Sequence, residues 1–198
     1  MTLGIVVTEQ VDPLARAENI PMPPRFVPDA AFPPYTFVPG RTPHPVRDPA
    51  GHSFGQTPEL PPPIDTERWQ ESPAYLHGID LFNHGYYWEA HEAWEGLWRA
   101  AGRTGRTADF LKGLIKLAAS GVKVRQGQPR GVAGHAAGAA ELFRDIARHL
   151  GEEEAVYLGL RLRDLIFFAE RIELHAEDAR ADEDASVKVV FDFDLIPG

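Results

Sequence analysis

Residues 82–98 read Phe82-Asn83-His84-Gly85-Tyr86-Tyr87-Trp88-Glu89-Ala90-His91-Glu92-Ala93-Trp94-Glu95-Gly96-Leu97-Trp98 and hold three of the chain's four tryptophans. Successive residues of a helix turn by about 100°, so with His91 at zero Glu95 falls near +40°, Trp98 near −20°, Tyr87 near −40°, Trp94 near −60° and Trp88 near +60°. An ionisable pair one turn apart therefore lies inside an aromatic stripe. Burying such groups is costly unless they are paired, hydrogen-bonded or bound to an ion. Whatever compensates His91 and Glu95 decides what this segment is for.

Outward from this stretch the helical period continues. Ile64-Asp65-Thr66 offers a cap for a first helix over about Glu67–Phe82, with Trp69, Leu76, Ile79 and Phe82 as a partial stripe. Asn83-His84-Gly85 ends it, with Gly85 suited to a left-handed terminal residue. The second helix covers about Tyr86–Ala101, and Glu89 in its first turn complements the dipole. Third, fourth and fifth helices are expected over about Ala108–Gln126, Arg130–Leu150 and Val156–Ala176. Gly131, Gly134 and Gly138 would let the fourth approach a neighbour closely. Val187–Phe193 alternates like a strand but has no partner strand, so it is expected to lie extended on the helices. Short connections between helices predict an all-α fold, a closed antiparallel bundle of about five helices.

Proline sets the boundary, because 15 of 18 prolines fall in residues 1–63. Residues 1–63 read as an irregular proline-rich arm, 64–180 as the bundle and 181–198 as an acidic, extended tail. Phe26, Phe32, Tyr35, Phe37, Val38 and Phe54 give the arm anchors on the bundle, whereas residues 1–25 are expected to be loose. Net charge is −9, and residues 173–198 carry eight acids against Arg180 and Lys188, which reads as a solvated segment. That balance argues against nucleic acid as partner. The longest N-terminal apolar run, Leu3–Val7, is too short for a secretory signal, and no stretch reaches a membrane span. With no cysteine either, the expected location is the cytoplasm.

At Phe82-Asn83-x-Gly85-x-Tyr87-Trp88-Glu89-Ala90-His91-Glu92-x-Trp94-Glu95-x-x-Trp98, followed by Phe110-Leu111-Lys112-Gly113-Leu114-Ile115, the chain resembles the domain-of-unknown-function 309 family. Its members are small all-helical proteins of bacteria and archaea, and the resemblance covers roughly residues 70–150. Residues 39–53 look like the leader of one bacterial subgroup. The resemblance implies a closed helical bundle and brings no established activity, cofactor or catalytic residue.

Three chemistries remain open for the aromatic stripe. In the simplest, His91 hydrogen-bonds Glu95 or the arm's backbone, and the aromatic residues are core. In the second, His91 and Glu95 bind a divalent metal, zinc or iron, as paired residues one turn apart on metalloprotease helices do. Two donors are too few, and the arm offers His44 and His52 in a loop stiffened by Pro43, Pro45 and Pro49. Glu92 would then activate water in a metal-dependent hydrolase. In the third, an organic ligand sits between arm and bundle, with Asn83, Tyr87, Trp88 and Trp98 as lining candidates. No elbow surrounds any serine, and Gly102–Arg106 lacks the strand and Lys-Ser/Thr of a phosphate loop. The leading expectation is a non-catalytic protein that binds another protein or itself; the alternative is the metal-dependent enzyme.

Overall fold

The computed structural model describes residues 21–57, 59–151, 155–181 and 184–198. The expectations for the first twenty residues, including the Leu3–Val7 run, lie outside the described residues. Ser72 is extended (φ −96°, ψ 93°) ahead of Pro73, and Pro73 opens α1 (Pro73–Asn83). A residue before proline is driven from the helical region, while proline suits the first helical position. The first helix therefore starts at Pro73, not Glu67. Asp65 instead accepts the Glu67 amide at 3.0 Å, and a single 3-10 turn, Trp69–Glu71, leads into the helix.

The next three helices, α2 (Tyr87–Ala100), α3 (Arg106–Arg125) and α4 (Pro129–Leu150), stand where the sequence period puts them. The fifth, α5 (Leu162–Leu174), is shorter than expected because its first turns are a hairpin of β1 (Val156–Tyr157) and β2 (Leu160–Arg161). Leu158 and Gly159 have φ of +48° and +79°. Two successive positive φ values match the twist of a two-residue hairpin, normally signalled by Asn-Gly or Asp-Gly. A leucine in the first position gives no such signal. It is held there because its side chain is buried and its carbonyl accepts the Tyr75 hydroxyl at 2.8 Å.

Helices adjacent in sequence are adjacent in space: α1 packs on α2, α2 on α3, α3 on α4 and α4 on α5. Trp94, Phe110, Leu117, Phe143 and Leu165 lie in the common core. Trp94 fits because Gly78 has no Cβ, which would overlap its indole. The glycines of α4 serve a different end from the one expected. Gly131 and Gly138 receive the aliphatic stems of Lys123 and Lys116, while Ala136, Ala139 and Ala140 form the buried face.

Residues 184–198 contain neither helix nor strand, yet Phe191, Phe193 and Leu195 are buried. Phe193 stacks on Phe168 of α5 with centroids 4.0 Å apart and faces Phe82 of α1 at 6.0 Å. The tail thus fills the wedge between α1 and α5 and completes the bundle. This corrects the picture of a solvated acidic segment, since only one side of it meets water. Asp192 pairs there with Arg171, while the alternate aromatic residues are core. Gly85 (φ +84°) is required twice over: it makes the left-handed turn after α1, and a Cβ would collide with the Lys188 carbonyl of the tail. Among the described residues no helix is long and apolar enough to cross a membrane.

Candidate functional site

The polar residues of α1 and α2 that point inward are Asp80, Asn83 and Glu89, all buried. An acid in a core needs donors, and the arm supplies them. Asp80 accepts the Phe26 and Val27 amides at 2.8 Å each, with Arg25 Nε 3.8 Å away. Glu89 accepts the Thr36 hydroxyl at 2.6 Å and the Phe37 amide at 2.8 Å. Burial pushes the Glu89 carboxyl above its usual range, against the pull of those two donors and of Arg125. The tail is held by the same pair of helices. Asn83 donates to the Leu195 carbonyl at 2.9 Å and accepts its amide at 2.8 Å, and the Tyr87 hydroxyl accepts the Val190 amide at 2.9 Å. One helical hairpin therefore grips both extended flanks of the chain.

The arm histidines belong to this docking. His44 packs its ring on Phe37 and Trp88, centroids 4.8 and 5.5 Å away, and its Nδ1 accepts the Val46 amide at 3.3 Å. His52 lies against the Tyr35 ring, its Nδ1 2.9 Å from the Ser53 hydroxyl and its Nε2 3.9 Å from Glu89. Burial holds the His52 imidazole below its usual range. Two residues along a helix turn by about 200°, so Glu89 and His91 face opposite sides of α2. Among the described residues the donors that gather around His91 and Glu95 include Glu92 but neither His44 nor His52, so the four-residue metal site drawn from the sequence is not assembled.

His91, Glu92 and Glu95 form a cluster of their own. His91 Nδ1 is 3.3 Å from Glu92 Oε1 and 3.8 Å from Glu95 Oε2, and Arg99 pairs with the other Glu95 oxygen. The His91 and Glu95 side chains are 28% and 27% exposed, at the margin of the aromatic stripe rather than within it. The four lining candidates part company: Asn83 and Tyr87 hold the tail, Trp88 packs on Phe37 and His44, and Trp98 lies under the Arg103 guanidinium at 5.6 Å. A cleft of about 360 Å³ opens elsewhere, between the hairpin, α5 and the tail, with Leu165, Phe168 and Leu195 in its wall. Sequence reasoning missed Asp80. Its signal was an acid inside Ile79-Asp80-Leu81-Phe82, flanked by apolar residues.

His77 carries a further consequence of the arm. Its ring stacks on Phe32, and burial keeps the imidazole below its usual range, with Asp80 opposing and Arg25 adding to the effect. The folded form then binds fewer protons than the unfolded chain as pH falls below 6.5, so folding weakens there. Urea midpoints are expected to fall from about pH 7 to about pH 5.5, and less steeply in His77→Gln. Parallel pH profiles for the two proteins would remove His77 from this account.

The arrangement defines an all-α bundle with docked extended flanks. Residues 75–134 match the family described as Domain of unknown function (DUF309). No curated protein and no solved structure matches the chain. The matched residues run from α1 into the first turns of α4 and include Asp80, Asn83, Glu89 and His91, whereas the arm, hairpin, α5 and tail fall outside them.

Proposed function

We propose that the chain is a non-catalytic interaction protein that pairs with a second copy of itself through the outer face of α5. Phe167 and Leu174 lie two turns apart on that helix, 56% and 77% exposed, so large apolar side chains form a line facing away from the bundle. That paired exposure carries the reading. The adjoining cleft extends it, with exposed Val156 and Ile196 at the rim. An antiparallel copy about a two-fold axis between residues 170 and 171 brings Phe167 against Leu174 of the second copy. The buried polar residues of α1 and α2 hold the chain's own flanks, which supports a scaffold rather than a reaction centre. The hydrolase alternative needs His44 and His52 beside His91, whereas their rings pack on Phe37, Trp88 and Tyr35.

A helix of 13 residues is about 20 Å long. Its face falls short of the roughly 800 Å² per partner of a stable interface, so a reversible dimer is expected. Sedimentation velocity over a dilution series should show monomer and dimer in concentration-dependent exchange. Phe167→Glu and Leu174→Glu should each leave only monomer with little change in melting temperature, because both side chains are exposed. A wild-type chain that stays monomeric at the highest concentration rules the pairing out.

A further inference from the structure

On α2, away from the α5 face, three electron-pair donors converge without hydrogen-bonding one another. The ligand atoms of His91, Glu92 and Glu95 all lie within 4.8 Å of each other. His91 Nδ1 has no exposed surface and no hydrogen-bond partner, although two carboxylates lie 3.3 and 3.8 Å from it. An unprotonated ring nitrogen facing two carboxylate oxygens is repulsive. An N–H on Nδ1 or a metal ion between the three donors would turn that repulsion into attraction.

The spacing suits an ion. Donors bound at about 2.0–2.2 Å to a four- or six-coordinate centre stand roughly 2.8–3.6 Å apart; the 3.3 Å pair meets this, and the 3.8 Å pair closes on it with a small turn of the Glu95 side chain. Arg99 engages Glu95 Oε1 and so turns Oε2 toward His91, the kind of outer contact that orients a metal-binding carboxylate. We infer that His91, Glu92 and Glu95 form a three-donor site for a divalent first-row transition ion, with zinc as its probe. The imidazole selects such an ion over magnesium or calcium, which prefer oxygen donors alone. Glu92 is 43% exposed, so water completes the coordination and the ion exchanges with solvent.

Calorimetric titration of the chelator-treated full chain with zinc chloride tests this. One saturable zinc per chain is expected, with no comparable uptake of magnesium. His91→Ala and Glu95→Gln should each weaken zinc binding about tenfold or more, since even outer-shell changes reach that size. Glu92→Gln, at an exposed position that folding does not depend on, should weaken it as well. His44→Ala and His52→Ala should leave it unchanged. Absence of saturable zinc binding overturns the inference, as does binding that survives in all three α2 variants or vanishes with the arm histidines. The α5 variants should bind zinc as wild type does, so this result and the dimer stand or fall separately.

Discussion

Replacing Asp80 with alanine is expected to free the first part of the arm from α1 while the bundle stays folded. Asp80 has no exposed surface, and two backbone amides and Arg25 converge on it. Hydrogen bonds to a buried charge contribute about 1.5–3 kcal/mol each, so losing both would cost roughly 3–6 kcal/mol if the arm stayed in place. The arm need not stay. Its amides can reach water by peeling away, so the loss is limited to the docking free energy of that segment, about 2–4 kcal/mol. Hydrogen exchange should therefore quicken at Phe26 and Val27 first. Phe37 should keep its protection, because Glu89 holds it independently. Glu89→Ala should release the Phe37 segment. Unchanged exchange at Phe26 and Val27 in Asp80→Ala would mean that the arm is held by its apolar side chains alone.

Local docking of this kind explains what the sequence could and could not reveal. The middle helices were legible because their apolar period is long and their ends are marked: Gly102 through Gly105 breaks α2 from α3, and Gly127-Gln128-Pro129 separates α3 from α4. Errors came where two local rules competed. Over residues 67–72 helical propensity met the veto of Ser72-Pro73, and the proline won. At residues 156–161 the apolar period continued smoothly into α5, but Leu158 and Gly159 turned the chain back. Nothing local reports that Leu158 can hold a positive φ. That depends on Tyr75, 83 residues away.

The site was legible as composition and not as assembly. An acid and an imidazole in an aromatic helix signal that something must answer them, and the i, i+4 spacing puts His91 beside Glu95. Which side of α2 the arm would cover is a long-range question. Glu89 settles it. Sequence position gives that residue a plausible role at the helix N-terminus, yet its buried carboxylate is the arm's anchor. With the arm anchored at Glu89, His44 packs on Phe37 and Trp88 and His52 on Tyr35, so neither imidazole joins the His91 cluster. The tail follows the same logic. Its alternation marks one buried side, but only the folded helices show that this side faces Phe82 and Phe168.

Asn83→Ala should act on the whole molecule, in contrast to Asp80→Ala. The amide of Asn83 serves both backbone groups of Leu195, much as a neighbouring strand would. Its loss leaves a buried N–H and a buried C=O without partners, at about 1–3 kcal/mol each. Peeling away offers little relief here, because the tail carries Phe191, Phe193 and Leu195 into the core. Exposing three such side chains would forfeit about 1.5–3 kcal/mol apiece. The cheaper course is to keep the tail in place and bear the unpaired groups, so global stability should fall by roughly 2–5 kcal/mol. For a domain of this size that corresponds to a melting temperature lower by roughly 5–15 °C, still in one cooperative transition. Asn83→Asp should fare no better, since it keeps the acceptor, loses the donor and buries a charge facing a carbonyl. If either variant melts within about 1 °C of wild type, or loses only the tail's protection from exchange, the tail is an appendage and α1 and α5 close the bundle without it.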